Sequence, residues 1–366
     1  MTVRTTIPVA RPLLPALEAL APYLTRIDAS RWYSNFGPLC VEFEARLAER
    51  FGLTADCVTT VANATVGLTL ALQTSGARPG SLCVVPSWTF PASVQAAIQA
   101  GLRPLFVDVD EDGLLTPAIA RDALTAAPGP VGAMMPVAVY GQPLDSADWD
   151  AFAAETGVPV VIDAAPGYDS VKASATLSVV SLHATKILGV GEGGFVMSTD
   201  PGLVREVRQR SNFGFYGSRE AEMAATNGKL SEYAAAVGLA GMDQWPQRRS
   251  AFQAVANRYR ANLEAVPGLG LPKGYGEFWL AATCILEADF DVEPLAVALR
   301  DAGIDTRAWW GRGMHLQAAF RECPRLPLPV TERLSRTTLG VPCFTDMALA
   351  QVDHVCAVLA GCVAAT

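Results

Sequence analysis

From residue 57 to about residue 198, short and nearly continuous apolar runs alternate with stretches of helical period, and that alternation leaves few architectures open. Cys57–Val61, Ser81–Pro86, Pro104–Val109, Val131–Val139, Val158–Asp163, Leu177–Leu182 and Gly194–Ser198 read as seven strands. Between them, Ala64 to about Ser75, Pro91–Ala100, Pro117–Ala126 and Ser146–Glu155 read as helices. A strand that is apolar at nearly every position has no face to give to water, so it must be covered on both sides. Strands of that kind with helices between them predict an α/β domain on a mostly parallel sheet.

After Leu230 the pattern changes to a long helical region, Ser231–Val266, interrupted at Pro246. A smaller α/β segment follows, with a strand at Leu280–Glu287, a helix at Val292–Ala302 and a last helix at Ala348–Ala360. The expected division is an N-terminal arm or short helix over 1–30, a large domain over 31–245 and a small C-terminal domain over 246–366.

Hydrophobic residues make up 51% of the 366 and charged ones 17%, which supplies enough apolar surface to fold and excludes a disordered chain. A net charge of −8 argues against a surface built for nucleic acid or for an anionic membrane. Any anionic substrate must then be met by local positive charge. The eight cysteines form no CxxC pair and several sit in apolar runs, so neither a metal site nor a disulfide framework is expected. Met1–Leu17 carries no apolar core with a cleavage site, and no apolar run reaches the ~18 residues of a spanning helix. The expected compartment is the cytoplasm.

In parallel α/β sheets ligands gather at the carboxyl ends of the strands, and unusual residues fall there together. Asn63-Ala64-Thr65 opens a helix directly after a strand and reads as a phosphate cradle or as an ordinary cap. Asp163 ends an apolar strand, where a carboxylate needs a partner: a cationic ring nitrogen, a metal, or the N–H groups of the next turn. Lys186 lies between a strand and the glycine-rich Gly189–Gly194, in a chain with four lysines. Partial burial would lower its pKa and make the amine a nucleophile; the other reading is a phosphate-binding lysine. Trp88, just past a strand end, is either an aromatic wall or core. A lysine, an acid, an anion cradle and a ring together suit pyridoxal phosphate.

Val84-Val85-Pro86-Ser87-Trp88-Thr89-Phe90, Asp163-Ala164-Ala165, the Ser181…His183…Lys186 segment and Gly191-Glu192-Gly193-Gly194 resemble the DegT/DnrJ/StrS family of sugar aminotransferases. Asn227-Gly228-Lys229-Leu230-Ser231-Glu232, the stretch Leu328–Ser335 and Leu339–Pro342 are similar to further segments of that family, in the same order, so the resemblance covers nearly the whole chain. It implies fold type I of the pyridoxal-phosphate aminotransferases, with a seven-stranded large domain and a smaller C-terminal α/β domain. It implies Lys186 as the Schiff-base lysine and Asp163 against the pyridinium nitrogen. Ala64, Thr65 and Ser181 would hold the phosphate, Trp88 would stack on the ring, and Asn227 would reach the phosphate of a neighbouring subunit in a homodimer with shared sites. Lys229 would meet a substrate diphosphate or stay at the surface. Trp309, Trp310, Arg312 and His315 would surround the sugar or base, the two tryptophans alternatively packing a loop.

The activity so implied moves an amino group from L-glutamate to a nucleotide-linked keto-deoxy sugar in deoxyamino-sugar biosynthesis, such as that of O-antigen lipopolysaccharide. The segment Thr306–His315 resembles the branch that makes 4-amino-4,6-dideoxy sugars from dTDP-4-keto-6-deoxyglucose. The alternatives are amination at C3, a dehydratase using pyridoxamine phosphate, which Lys186 disfavours, and a non-catalytic sensor of the same fold. One departure stands out: Pro166 occupies the place where the family has Gln or His.

Overall fold

The computed structural model describes residues 6–364. Residues 1–5, where the expected arm begins, and 365–366 lie outside them. Helices α1 (Leu17–Ser30) and α2 (Pro38–Arg50) precede the sheet. Next come β1 (Val58–Val61), α3 (Ala64–Thr74), β2 (Leu82–Pro86), α4 (Pro91–Gln99), β3 (Arg103–Val107), α5 (Pro117–Ala126) and β4 (Val131–Met134). They are followed by α6 (Ser146–Thr156), β5 (Val161–Asp163), β6 (Leu177–Ser181), β7 (Gly194–Met197) and α7 (Pro201–Ser211). The C-terminal part holds α8 (Glu232–Asp243), α9 (Trp245–Leu263), β8 (Leu269–Gly270), β9 (Cys284–Ala288), α10 (Glu293–Asp301), α11 (Pro329–Thr337), β10 (Thr338–Val341) and α12 (Leu349–Val363).

The ladders β1-β7-β6-β5 and β3-β2-β4 are joined by parallel bridges Met134↔Val160 and Val137↔Asp163, giving one layer in the order β1-β7-β6-β5-β4-β2-β3. Only β7 runs against its neighbours. No helix separates it from β6, and a strand reached without a crossover returns antiparallel. Alternate residues along each strand enter different apolar clusters: Leu82 and Val84 one, Cys83 and Val85 the other; Ile162 and Val180 one, Val161 and Val179 the other. The sheet is thus buried on both faces, as the continuous apolar runs demand. The expected α/β class with seven strands, mostly parallel, is the fold observed.

A second, antiparallel sheet, β10-β9-β8, carries α10 and α12. Its surroundings return to the large sheet twice. Residues 324–326 lie along the edge of β3, with Phe106 N–H donating to Pro324 O and Leu326 N–H to Phe106 O, both 2.9 Å. Beyond β3, the Asp108 carboxylate accepts from Val330 N and Thr331 N at 2.8 Å and from Thr331 Oγ1 at 2.7 Å, capping the start of α11. Helix α9 serves both parts. Its first turns pack Trp245 on Tyr168 (4.8 Å between ring centres) and pair Arg249 with Asp169, while Arg258 farther along pairs with Asp353 of α12. Residues 245–246 therefore lie inside a helix that ties the two sheets together rather than in a linker. Among the described residues no helix is long and apolar enough to cross a membrane.

Candidate active site

Strand parity aims Asp163 to the same face as Val161, the face covered by α3 and α4. The carboxylate is 4% exposed. Its Oδ2 accepts from Ser93 Oγ of α4 at 2.6 Å, Oδ1 accepts from Ala165 N at 3.0 Å, and Ser93 Oγ lies 2.7 Å from Thr89 Oγ1. Burial raises the Asp163 pKa, opposed first by the Ser93 hydroxyl, then by Ala165 N–H and the charge of Lys186. Lys186 shows the mirror image: burial lowers its pKa and the charge of Asp163 partly restores it. The two groups feel each other, yet among the described residues they make no direct ion pair. A buried acid held only by neutral donors, with an amine near enough to feel its charge yet not paired with it, has the charge to take a protonated heterocycle.

Helix α3 begins on the same face of the sheet. Asn63 caps it by accepting from Val66 N–H at 2.9 Å, which leaves the N–H groups of Ala64 and Thr65 outside the helix's own bonds. Gly194 pairs across the ladder with both Val61 and Ser181, and a Cβ on it would stand 3.0 Å from Ala64 N. Glycine there brings β7 against the first turn of α3 and sets the buried Ser181, whose Oγ accepts from His183 N–H at 3.2 Å, in the same row. Open N–H groups at a helix start, with a hydroxyl beside them, form an anion cradle. Pyridoxal phosphate fits the residues present in kind: open N–H groups and a hydroxyl suit a phosphate, an acid suits a ring nitrogen, and an amine suits a carbonyl.

The aromatic wall is not where the sequence placed it. Trp88 is 2% exposed, its ring edge-on to Trp310 (5.2 Å) and to Tyr140 (6.5 Å). A ring meant to lie flat on a cofactor must have an open face without it, and Trp88 has none. Thr89 turns toward Ser93 and Asp163, so its neighbour turns away into the core. Phe90, 56% exposed at the N-terminus of α4, is the aromatic on this stretch that does have an open face. The sequence motif contained both rings, and only the tertiary packing separates them.

Trp310 is corrected for the same reason: buried and stacked on Tyr140 at 4.4 Å, it belongs to that aromatic core rather than to a sugar wall. Trp309 packs over Gly340 beneath the Arg307 guanidinium, its Nε1 hidden without a partner. His315 is buried, with Nδ1 2.7 Å from Ser87 Oγ and its N–H donating to the same oxygen at 3.2 Å, so it anchors its loop to the end of β2. Arg312 is exposed and lines a groove with His315, Arg325, Arg336 and Glu332.

The Asn227–Glu232 segment divides by position. Asn227 is exposed, and Gly228 O accepts from Ala62 N–H at 2.7 Å, beside the cradle. Lys229 Nζ lies 4.3 Å from the Phe213 ring centre, shielded from water without a hydrogen-bond partner, and burial lowers its pKa. Ser231 caps α8, while Glu232 accepts from Leu39 N and Cys40 N at 2.8 Å each and caps α2. Those last two residues serve the scaffold. Pro166 lies against Gly141, where φ of +100° and a close approach to the Pro166 carbonyl leave little room for a side chain. Ser93 and Thr89 escaped sequence reading because nothing local marks a helix serine that meets a carboxylate 70 residues away.

A buried strand-end acid, a desolvated lysine that feels its charge and an open helix start, on this sheet order, are the parts that a pyridoxal-phosphate-dependent aminotransferase uses. The chain belongs to the DegT/DnrJ/EryC1/StrS aminotransferase family, whose profile matches residues 17–360. It is 32% identical to protein Rv3402c of Mycobacterium tuberculosis, over 96% of this chain and 89% of that one. It is 31% identical to the erythromycin biosynthesis sensory transduction protein EryC1 of Saccharopolyspora erythraea, over 94% and 98%. Among solved structures, DesI in the presence of its TDP-sugar product superposes with a TM-score of 0.88 at 32% identity, covering 98% of this chain and 93% of that one.

Proposed function

We propose that this aminotransferase moves an amino group from L-glutamate to a nucleotide-linked keto-deoxy sugar, through Lys186. The carrying observation is the buried Asp163 carboxyl, held by Ser93 and Ala165, with the Lys186 amine near enough for each to shift the other's proton affinity. Bound there, pyridoxal phosphate supplies a carbonyl that condenses with amines and a ring that draws electrons from the adjacent carbon. Asp163, whose charged form Ser93 and Ala165 favour against the effect of burial, would hold the proton on the ring nitrogen. The Ala64 and Thr65 N–H groups and the Ser181 hydroxyl bind the phosphate, and Phe90 rather than Trp88 offers a face to the ring. Lys186 anchors the cofactor at rest. Its amine, made less basic by burial, would move a proton between the donor α-carbon and the cofactor.

The sugar is read as dTDP-4-keto-6-deoxyglucose, giving a 4-amino-4,6-dideoxy product. The Thr306–His315 segment supports that reading, as does the TDP-sugar product held by the structural relative DesI. Arg312 and Lys229 are read as the cations that meet the diphosphate. Asn227, exposed in the single chain, is read as reaching the cofactor phosphate of a second subunit, so that the homodimer shares its sites. We place the enzyme in the cytoplasm.

Borohydride reduction followed by peptide mass spectrometry should find the cofactor on Lys186. Lys186→Ala should keep the fold by circular dichroism and lose turnover by at least ~10³-fold; an adduct on another residue, or turnover kept, overturns the assignment. Product analysis by NMR after incubation with 4-keto and 3-keto sugar nucleotides decides the carbon aminated.

A further inference from the structure

An amino-acid donor brings a carboxylate with it, and the carbon bearing the α-carboxylate is the one that loses its proton to Lys186. Some cation must therefore stand beside that lysine. Lys186 and two arginines, Arg11 and Arg248, line one small cleft. Arg11 is engaged: it pairs with Asp346 and lies over the Phe344 ring at 5.0 Å. Arg248, on the second turn of α9, is not. It is half-buried, and its Nε makes one long bond, 3.4 Å, to the neutral Gln244 Oε1.

Among the described residues no carboxylate lies within ion-pair distance of Arg248. Its neighbours on the same helix differ in this respect, since Arg249 pairs with Asp169 and Arg258 with Asp353. Desolvation, with no compensating acid, lowers the Arg248 pKa. A guanidinium partly removed from water without a counter-ion is unfavourable until an anion arrives, and its planar fork matches a carboxylate with two parallel hydrogen bonds. Helix α9 is fixed at this point by Trp245 on Tyr168 and by the Arg249–Asp169 pair, which holds the arginine at the cleft that Lys186 also lines.

We propose that Arg248 binds a carboxylate of the amino donor and so sets the donor's position over Lys186. The proposal rests on the aminotransferase reading above, and it makes Arg248 a residue that touches substrate without moving a proton.

The test uses full-length wild-type, Arg248→Gln and Arg248→Lys proteins loaded with pyridoxal phosphate. L-Glutamate and L-alanine are titrated against the visible absorption band, and dTDP binding is measured by calorimetry. For Arg248→Gln, the band and the dTDP affinity should stay as in the wild type. The half-saturating concentration of L-glutamate should rise about 10- to 100-fold, the worth of a hydrogen-bonded charge pair, with Arg248→Lys in between. An equal rise for L-alanine places the contact at the α-carboxylate, and a rise for L-glutamate alone places it at the side-chain carboxylate; both support the proposal. Unchanged glutamate titration overturns it. So does loss of the visible band, which would make Arg248 structural, or loss of dTDP affinity alone, which would assign it to the diphosphate. A wild-type band that responds to no amino acid at all would instead sink the aminotransferase reading, and the proposal with it.

Discussion

Asp163 is poised by two neutral donors, and the hydroxyl of Ser93 is the larger influence of the two. Ser93→Ala removes that donor and raises the Asp163 pKa further. Because only the ionised carboxylate can hold a proton on the cofactor ring, the inactive form then extends to higher pH. The expected result is a loss in kcat/KM of about tenfold, in line with ~1.5–3 kcal/mol for a hydrogen bond to a charged group. The loss should be greatest at acidic pH and should shrink as pH rises. A pH-rate profile lowered uniformly would mean that Ser93 acts through packing instead. The same neighbourhood shows what sequence reveals about single residues. Asp163 and Lys186 are conspicuous because charge at the end of an apolar strand must have a reason. Trp88 and Phe90 are not distinguishable that way, since both are aromatic residues beyond a strand end and the direction of each depends on what packs around it.

At the scale of elements, the cradle depends on how closely β7 approaches α3. Gly194→Ala would place a methyl group 3.0 Å from both Ala64 N and Val180 O. These are backbone atoms, which cannot swing aside as a side-chain tip can. The start of α3 should shift, costing about 1–3 kcal/mol as overpacking does. Pyridoxal phosphate should then dissociate at least ~5-fold more readily, measured by dialysis and absorbance, while Gly361→Ala, exposed near the end of α12 with open space around it, serves as the control. Retention equal to the wild type would show that the cradle lies elsewhere. Most elements were legible: the strands from their apolar runs, α3 to α6 from the intervening period, and the α8–α9 break from Pro246, which falls in the first turn of α9. Helices α2, α7 and α11 and the short strands β8 and β10 were not read. Helices α7 and α11 have polar composition, and the start of α11 is stabilised by Asp108 from 222 residues away in sequence, a cap that no local pattern announces.

For the whole molecule the proposed shared dimer makes a sharp prediction. Lys186→Ala and Asn227→Ala chains, each impaired alone, should recover activity when unfolded together, mixed and refolded. If Asn227 serves the partner's site, a mixed dimer places both lesions in one site and leaves the other intact. Absence of recovery, with mixed dimers confirmed by native mass spectrometry, would return Asn227 to its own subunit. What the sequence determined by itself was the alternating α/β layer, its seven strands and the acid and amine at their carboxyl ends. Each of these follows from short-range rules, namely the period of apolar residues and the expense of burying charge. Tertiary structure decided what depends on contacts between distant segments: that Ser93 steadies Asp163, that Trp88 and Trp310 belong to the core while Phe90 stays open, that α9 joins both sheets, and that Arg248 faces the Lys186 cleft without an acid beside it. Those facts are absent from any local window because they arise only when chains of residues far apart are packed to exclude water.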